Sequence, residues 1–563
     1  MGSVEKMMQI DSQSFLEARK IAEKIRSLCR VPAISIGVLH RGKLAFTDSV
    51  GVRDVGTDQK PDGDTIYTLC SISKTFVAAA LGILVDQGKM DWADPVGKYL
   101  PGFRTEGDPT VAEKATFNDF LRHTSGLADP VVTLLGPNGT VLVSKSGLLD
   151  VVNETPTKDS EGKPYFNTTW KYSNVAYGML TLVVEKLSGV SYADFVQDNI
   201  LTPLRMDHTA VSNEQVESSN NVAKSYAKLS DDSLHELKYE WTSKENSPIL
   251  GMIGIRSSVN DMLKYCAAVM EASEGDTKKP MDILSTVTEN PLKQMNWILR
   301  DGYWWTRPHD DQFNNTSRFH AAWMEVEMPS CMTSWGSWNK TLGDLAETEE
   351  DKSVRNANIL GQNSGKRLLH KSVGCGICGV ASVNIFPETQ SAVVALSSGI
   401  NCGDAADFAA SVYIQELFNL EPKIDILALA EREVAKRLED WDTIMRDLDE
   451  HRDTSQPEHD PSEYVGEYHG FGITVSIERD IATGKMMVCL NKVEATRQEL
   501  EYYNVDWYSF WPKTRDEWLK GGWLDWDYYL VGIFKFVRKE GVVTGFTWVW
   551  EEGAEPYPFT RKA

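Results

Sequence analysis

The run Thr75-Phe76-Val77-Ala78-Ala79-Ala80-Leu81-Gly82-Ile83-Leu84-Val85 is apolar almost all round. A helix can be so only where neighbours cover every side of it. The run therefore predicts a buried helix ending at Gly88, inside a core large enough to enclose it. Ser71-Ile72-Ser73-Lys74 stands at its start. Residues three apart share a helix face, so the Ser71 hydroxyl and the Lys74 amine meet where the helix leaves its turn. Desolvation there favours the neutral amine, which can take a proton from serine. Ser-x-x-Lys alone is weak evidence, because a chain of 563 residues should hold the spacing by chance.

Two further motifs follow. Tyr172-Ser173-Asn174 opens a second apolar helix, Val175–Glu185. A phenol beside the lysine can shuttle protons, and the Asn174 amide can hold a carbonyl or the lysine. His370-Lys371-Ser372-Val373 precedes a glycine-rich stretch and the strand-like run Val380–Phe386. A strand edge beside the nucleophile can give one N–H to an oxyanion hole, with the Ser71 N–H as the other. Each residue also has a structural reading. Ser71 can be an N-cap, Lys74 can snorkel to the surface, and Tyr172 can be a core aromatic. His370 can serve structural hydrogen bonding alone.

Taken in order, Ser71-x-x-Lys74, Tyr172-x-Asn174 and the element at His370 resemble the serine β-lactamase and penicillin-binding-protein superfamily. The branch they look most like is the class C β-lactamase-like esterases, D-aminopeptidases and acyltransferases. Phe120-Leu121-Arg122-His123-Thr124-Ser125-Gly126-Leu127, Asn199–Met206 and Gly251–Ser258 resemble three more segments of that family, so the likeness spans residues 12–420. It implies catalytic roles for Ser71, Lys74 and Tyr172, and substrate or oxyanion contacts from Asn174, His370, Ser372 and Val373. The family's third motif ends in glycine, whereas Ser372 stands there, or Val373 in the alternative register Lys371-Ser372-Val373. Either way the glycine is missing, which narrows the oxyanion side and argues against classical β-lactam turnover. The Glu-based deacylation signature of class A enzymes is not apparent.

An acyl-enzyme at Ser71 is the chemistry this predicts. Lysine and tyrosine both start near pKa 10, so either needs about three units of bias to act as a base at neutral pH. The two titrate as a coupled pair, and the sequence leaves the base unassigned between them. It also leaves open hydrolysis of an ester, thioester or amide, acyl transfer to an alcohol or amine, and a catalytically degenerate binding protein. Resemblance to fungal-type tailoring enzymes points to specialised-metabolite substrates.

Composition sets the remaining bounds. Formal charge is 58 − 81 = −23 with no basic block, which disfavours nucleic acid and anionic membrane as partners. No stretch reaches the 18 apolar residues of a membrane span. Met1–Gln9 lacks an apolar signal core, so a cytoplasmic enzyme is expected. Eight scattered cysteines suit a reducing compartment, and Cys375-Gly376-Ile377-Cys378 reads as small loop residues rather than a zinc site. No metal or cofactor is assigned; the expected partner is a small, bulky, apolar substrate.

The fold class is α+β. Residues 1–423 read as one unit: an antiparallel sheet flanked by helices, plus a helical subdomain. An amphipathic helix opens it over 12–29, started by a capping box at Ser14–Glu17. The hairpin Ala33–Phe46 comes next, turning at Arg41-Gly42-Lys43. Residues 270–365 form a variable, aromatic-rich insert (Trp297, Tyr303, Trp304, Trp305, Phe313, Phe319, Trp323, Trp335), read either as core or as a pocket wall. A single helix is expected over 424–450, inside a linking segment, 424–453. Alternating runs over 454–563 predict a small antiparallel barrel, resembling the lipocalin-like domain of some D-aminopeptidases. Its aromatic segment Trp507–Trp526 is a candidate contributor to substrate choice.

Overall fold

The computed structural model describes residues 12–238, 247–274, 281–300, 303–305, 317–331, 337, 339–342, 348–399, 402–523 and 528–563. Of the insert aromatics, Phe313, Trp335 and the side chains of Tyr303–Trp305 lie outside what it describes.

Eight antiparallel strands make the main sheet: β1 (Ala33–His40), β2 (Lys43–Gly51), β3 (Tyr303–Trp305), β4 (Ser317–His320), β5 (Trp323–Met328), β6 (Arg367–Gly376), β7 (Gly379–Phe386) and β8 (Ser391–Ser398). Their order is β2-β1-β8-β7-β6-β5-β4-β3. Arg41 and Gly42, at φ 53° and 74°, make the tight β1–β2 turn, where both central residues must be left-handed. Three strands of the insert, β3, β4 and β5, extend the sheet outward from β6.

Eight of the helices frame the sheet and the site: α1 (Ser12–Leu28), α2 (Ser73–Asp86), α3 (Leu148–Glu154), α4 (Asn174–Ser188), α5 (Val259–Glu274), α6 (Ala405–Leu417), α7 (Ile426–Leu438) and α8 (Asp440–Glu450). α2 is the apolar run, buried from Ser73 through Leu84. Gly88, at φ 67°, lets the chain leave it. α6 packs on β7 and β8 on the face that receives Lys371, whose ammonium pairs with Asp407. Neighbouring residues of a strand point to opposite faces. The even-numbered residues of β6 therefore face away from α6, toward α2.

Two local expectations are corrected. Ser14 lies inside helix α1 and so is not the N-cap of a capping box, and Glu17 accepts hydrogen bonds from Gln13 and Lys20. The helix expected over 424–450 is two helices. Glu439 N–H bonds Lys436 O at 3.0 Å, tightening the last turn of α7, and α8 restarts there with Trp441, Ile444 and Leu448 buried.

The C-terminal strands form a nine-stranded antiparallel sheet whose order begins at Gln498–Glu499 and ends at Glu501–Asn504. Those two end strands are separated only by Leu500, so the sheet curls into a nearly closed barrel. The barrel touches the helical region where Asn491 Nδ2 donates to Leu142 O at 2.6 Å. Trp518 packs on Trp441 of α8 at 5.8 Å, and Asp516 accepts from Ser230. The segment read as a specificity element thus lies against the linking helices; Trp526 is outside the described residues. Among the described residues no helix is long and apolar enough to cross a membrane.

Candidate active site

Ser71 sits in a single tight turn, Cys70–Ile72, immediately before α2. Three features hold that turn. Leu69 N–H bonds Ile255 O, and Ile255 N–H bonds Ser73 Oγ, both at 3.0 Å, so the Gly251–Ser258 segment pins it from both ends. Cys70 takes φ 48°, a conformation non-glycine residues rarely adopt, directly before the serine. Strand β6 closes the remaining side.

Lys74 is 1% exposed, while Ser71 is only partly buried. Lys74 Nζ lies 3.0 Å from Ser71 Oγ, 2.7 Å from Asn174 Oδ1 and 2.9 Å from Met252 O. Burial drives the amine down to about 7, against the opposing pull of the Asp129 carboxylate. An ammonium spends three N–H bonds on these contacts. A neutral amine keeps two, for Asn174 Oδ1 and Met252 O, and its lone pair is left facing the serine hydroxyl.

Tyr172 approaches from the other side, its hydroxyl donating to Ser71 Oγ at 2.8 Å. Burial pushes this phenol above its usual value, so it stays protonated while Lys74 titrates. Ser173 N-caps α4 by accepting from Ala176 N–H, which fixes Tyr172 one residue ahead of the helix. Asp129 sets the Asn174 amide. It takes the Asn174 backbone N–H at 2.7 Å and the side-chain Nδ2 at 2.6 Å, turning Oδ1 toward Lys74. Burial lifts Asp129 to about 6, offset by those hydrogen bonds and by Lys74.

The structure thus brings Ser71, Lys74, Tyr172 and Asn174 together, and corrects the third element. The strand residues against the nucleophile turn are Gly374 and Gly376. A Cβ on Gly374 would fall 2.0 Å from Leu69 O, and one on Gly376 would fall 3.2 Å from Cys70 Sγ. His370 stands four residues before Gly374, about 13 Å back along the strand. It is 4% exposed, opposite Glu325 of β5, and burial pushes its imidazole down to about 3. Ser372 turns its hydroxyl to Ala322 O at 2.9 Å, in the β4–β5 turn. Val373 is half-buried and paired with Ser382 of β7. The glycine missing at position 372 is supplied two and four residues later. Ladder pairing of β5 with β6 runs only from Arg367 to Lys371. Beyond that, among the described residues, the outer edge of β6 has no ladder partner.

His123 has the chemistry to be a base, but its geometry makes it a brace. It is fully buried, accepts from Ser173 N–H through Nδ1 at 3.0 Å, and packs tilted against the Tyr172 ring with centroids 4.4 Å apart. Burial holds it neutral, far below its ordinary value. Trp170 and Phe319 join the same cluster, Phe319 lying 5.0 Å from the His123 ring and 5.5 Å from Trp170. Phe319 comes from the insert, so the insert reaches the His123–Trp170 cluster that packs on Tyr172.

A family model described as Beta-lactamase matches residues 18–398, more than half of the chain. The chain belongs to the Beta-lactamase family. Penicillin-binding protein 4* of Bacillus subtilis (strain 168) is 30% identical over 176 residues, 31% of this chain and 37% of that protein. Protein flp of Staphylococcus aureus (strain MW2) is 26% identical over 191 residues, 34% of this chain and 37% of its own length. The chain therefore matches little more than a third of these relatives. Among solved structures, the octameric penicillin-binding protein homologue from Pyrococcus abyssi superposes with TM-score 0.53 at 17% identity, covering 97% of this chain and all of that one. A class C β-lactamase from Rhodobacter sphaeroides gives 0.50 at 19%, over 71% of this chain and 99% of its own. These likenesses show the fold.

Sequence reasoning missed Asp129, His123 as brace, the Met252 carbonyl and Gly374. His123 and Met252 lay in segments already noted for their family resemblance, and Gly374 in a stretch noted only as glycine-rich. Asp129 comes two residues after the first of these segments but carried no signal of its own.

Proposed function

We propose that this Beta-lactamase-family protein is a serine hydrolase that forms an acyl-enzyme at Ser71 with an ester or amide carrying a bulky apolar acyl group. The observation that carries this is the threefold hold on Lys74 Nζ. With Asn174 Oδ1 and Met252 O taking its N–H groups, the lone pair can only be aimed at Ser71. Lys74 removes the serine proton as Oγ bonds to the carbonyl carbon. Ser71 N–H and a backbone N–H of β6 beyond its pairing with β5 stabilise the oxyanion. Tyr172 protonates the leaving oxygen or nitrogen as the old acyl bond breaks, and takes its proton back from Lys74. Water then attacks the acyl-enzyme by the same steps in reverse. An acceptor alcohol takes the identical route, so added alcohol measures how far transfer competes with hydrolysis.

The test is intact-mass detection of labelling by a fluorophosphonate. One adduct on the wild type and none on Ser71→Ala is expected. Absence from both would leave the binding-protein reading. The Phe319, Trp170 and His123 rings grouped beside Tyr172 support the preference for bulky apolar groups. Phe319→Ala is expected to raise KM for an aryl or long-chain acyl ester about tenfold, the upper value of one aromatic contact, without raising KM for the acetyl ester. Equal losses on both substrates would remove Phe319 from the pocket.

A further inference from the structure

His320, Glu325 and His370 stand on three neighbouring strands, β4, β5 and β6. Arg318 pairs with Glu325 across β4–β5, and Glu325 with His370 across β5–β6. One potential ligand atom from each of His320, Glu325 and His370 lies within 4.8 Å of the other two. His320 is 0% exposed and His370 4%. Among the described residues, His320 Nδ1 and His370 Nδ1 are without a hydrogen-bond partner, and His320 Nε2 meets only the Glu325 carboxylate, at 3.4 Å. Such an arrangement is costly for buried polar atoms and needs an explanation.

We infer that His320, Glu325 and His370 bind a divalent transition-metal ion of the zinc class. Two imidazoles and a carboxylate are a donor set for zinc, with the fourth position left to water. Tetrahedral ligands about 2.0–2.1 Å from zinc are about 3.3 Å from one another. Side-chain rotations of about an ångström therefore bring this cluster to binding geometry. His320 Nε2 is already 3.4 Å from Glu325 Oε2. Arg318 donates through Nε to Glu325 Oε1 at 2.7 Å, which leaves Oε2 for the ion and fixes the carboxylate plane. The guanidinium also repels a cation, so the site is weaker than one lacking it.

The ion would act on structure rather than on the acyl transfer. It ties the β4–β5 hairpin to β6. His320 adjoins Phe319 of the aromatic cluster, and His370 lies on the strand that presents Gly374 to the nucleophile turn. The sequence hid this set because His320 and His370 are fifty positions apart and only the strand order joins them.

The experiment uses the full-length protein, stripped with chelator, desalted and titrated with Zn2+ and Co2+. One equivalent of Zn2+ per chain is expected, with a rise in Tm. Co2+ should give visible d–d bands without the near-ultraviolet thiolate bands that any of the eight cysteines would add. His370→Asn and Glu325→Gln should each weaken Zn2+ binding about tenfold or more, and Ser71→Ala should not change it. No uptake by the wild type, thiolate bands, or unchanged affinity in both ligand variants would overturn the assignment. The wild-type stoichiometry and spectrum decide the matter even where a variant fails to fold.

Discussion

Lys74→Met lowers kcat/KM toward an activated ester about 10³–10⁴-fold, the upper range for removing a positioned general base, and leaves the protein folded. Methionine fills nearly the same volume, but it has no lone pair for Ser71 and no N–H for Asn174 Oδ1 or Met252 O. The amine is held at about 7 by burial, against 10.5 in the unfolded chain. Between those two values the unfolded state binds the extra proton, so this residue makes stability rise with pH across that window. The Tm of wild type minus that of Lys74→Met should therefore climb from pH 7 to pH 10 and be flat below 7. The wild-type kcat/KM should in turn rise with pH through about 7, as the neutral amine appears. The Asp129 charge raises the amine's pKa, so Asp129→Asn moves that limb to lower pH. A limb unmoved in Asp129→Asn and still present in Lys74→Met would assign the titration to another group.

Where the chain's own periodicity decided the outcome, the sequence was readable. An all-apolar run can only be enclosed, and α2 is buried from Ser73 to Leu84. Alternating runs after 454 can only pair, and they curl into the nine-stranded barrel. Ser71 and Lys74 meet because they are one helical turn apart, a purely local fact. The third element was misplaced because strand register is not local. His370-Lys371-Ser372 and Gly374-Cys375-Gly376 lie on the same strand, and only the packing of Leu69 and Cys70 decides which of them faces the nucleophile. Chemistry-bearing side chains drew attention to His370, whereas the site needed the absence of a side chain. The insert was unreadable for a related reason. Its strands are short, and their place at the edge of the sheet depends on β6, which begins about forty residues after β5 ends. Its metal-ligand candidates exist only once those edges meet.

Gly374→Ala tests that register and should be the most damaging single-methyl change near the site. The new Cβ would stand 2.0 Å from Leu69 O and 3.1 Å from Cys70 Cβ. Neither neighbour can yield easily. Leu69 is tied to Ile255 and Ile72 through its backbone, and Cys70 already sits at φ 48°. Strand and turn must part by about an ångström, and a misplacement of that size costs about 10²-fold in rate. The overpacking itself destabilises the fold by about 1–3 kcal/mol. Ser372→Ala is the control, since it removes one hydrogen bond to Ala322 O, worth about 1 kcal/mol, and leaves the nucleophile turn untouched. Fluorophosphonate labelling rates of the two variants, measured beside their urea midpoints, separate the readings. Slow labelling in Gly374→Ala with near-normal labelling in Ser372→Ala places the oxyanion edge at 374–376. The opposite ranking would return the third motif to His370–Ser372, and with it the narrowed site that the serine implied.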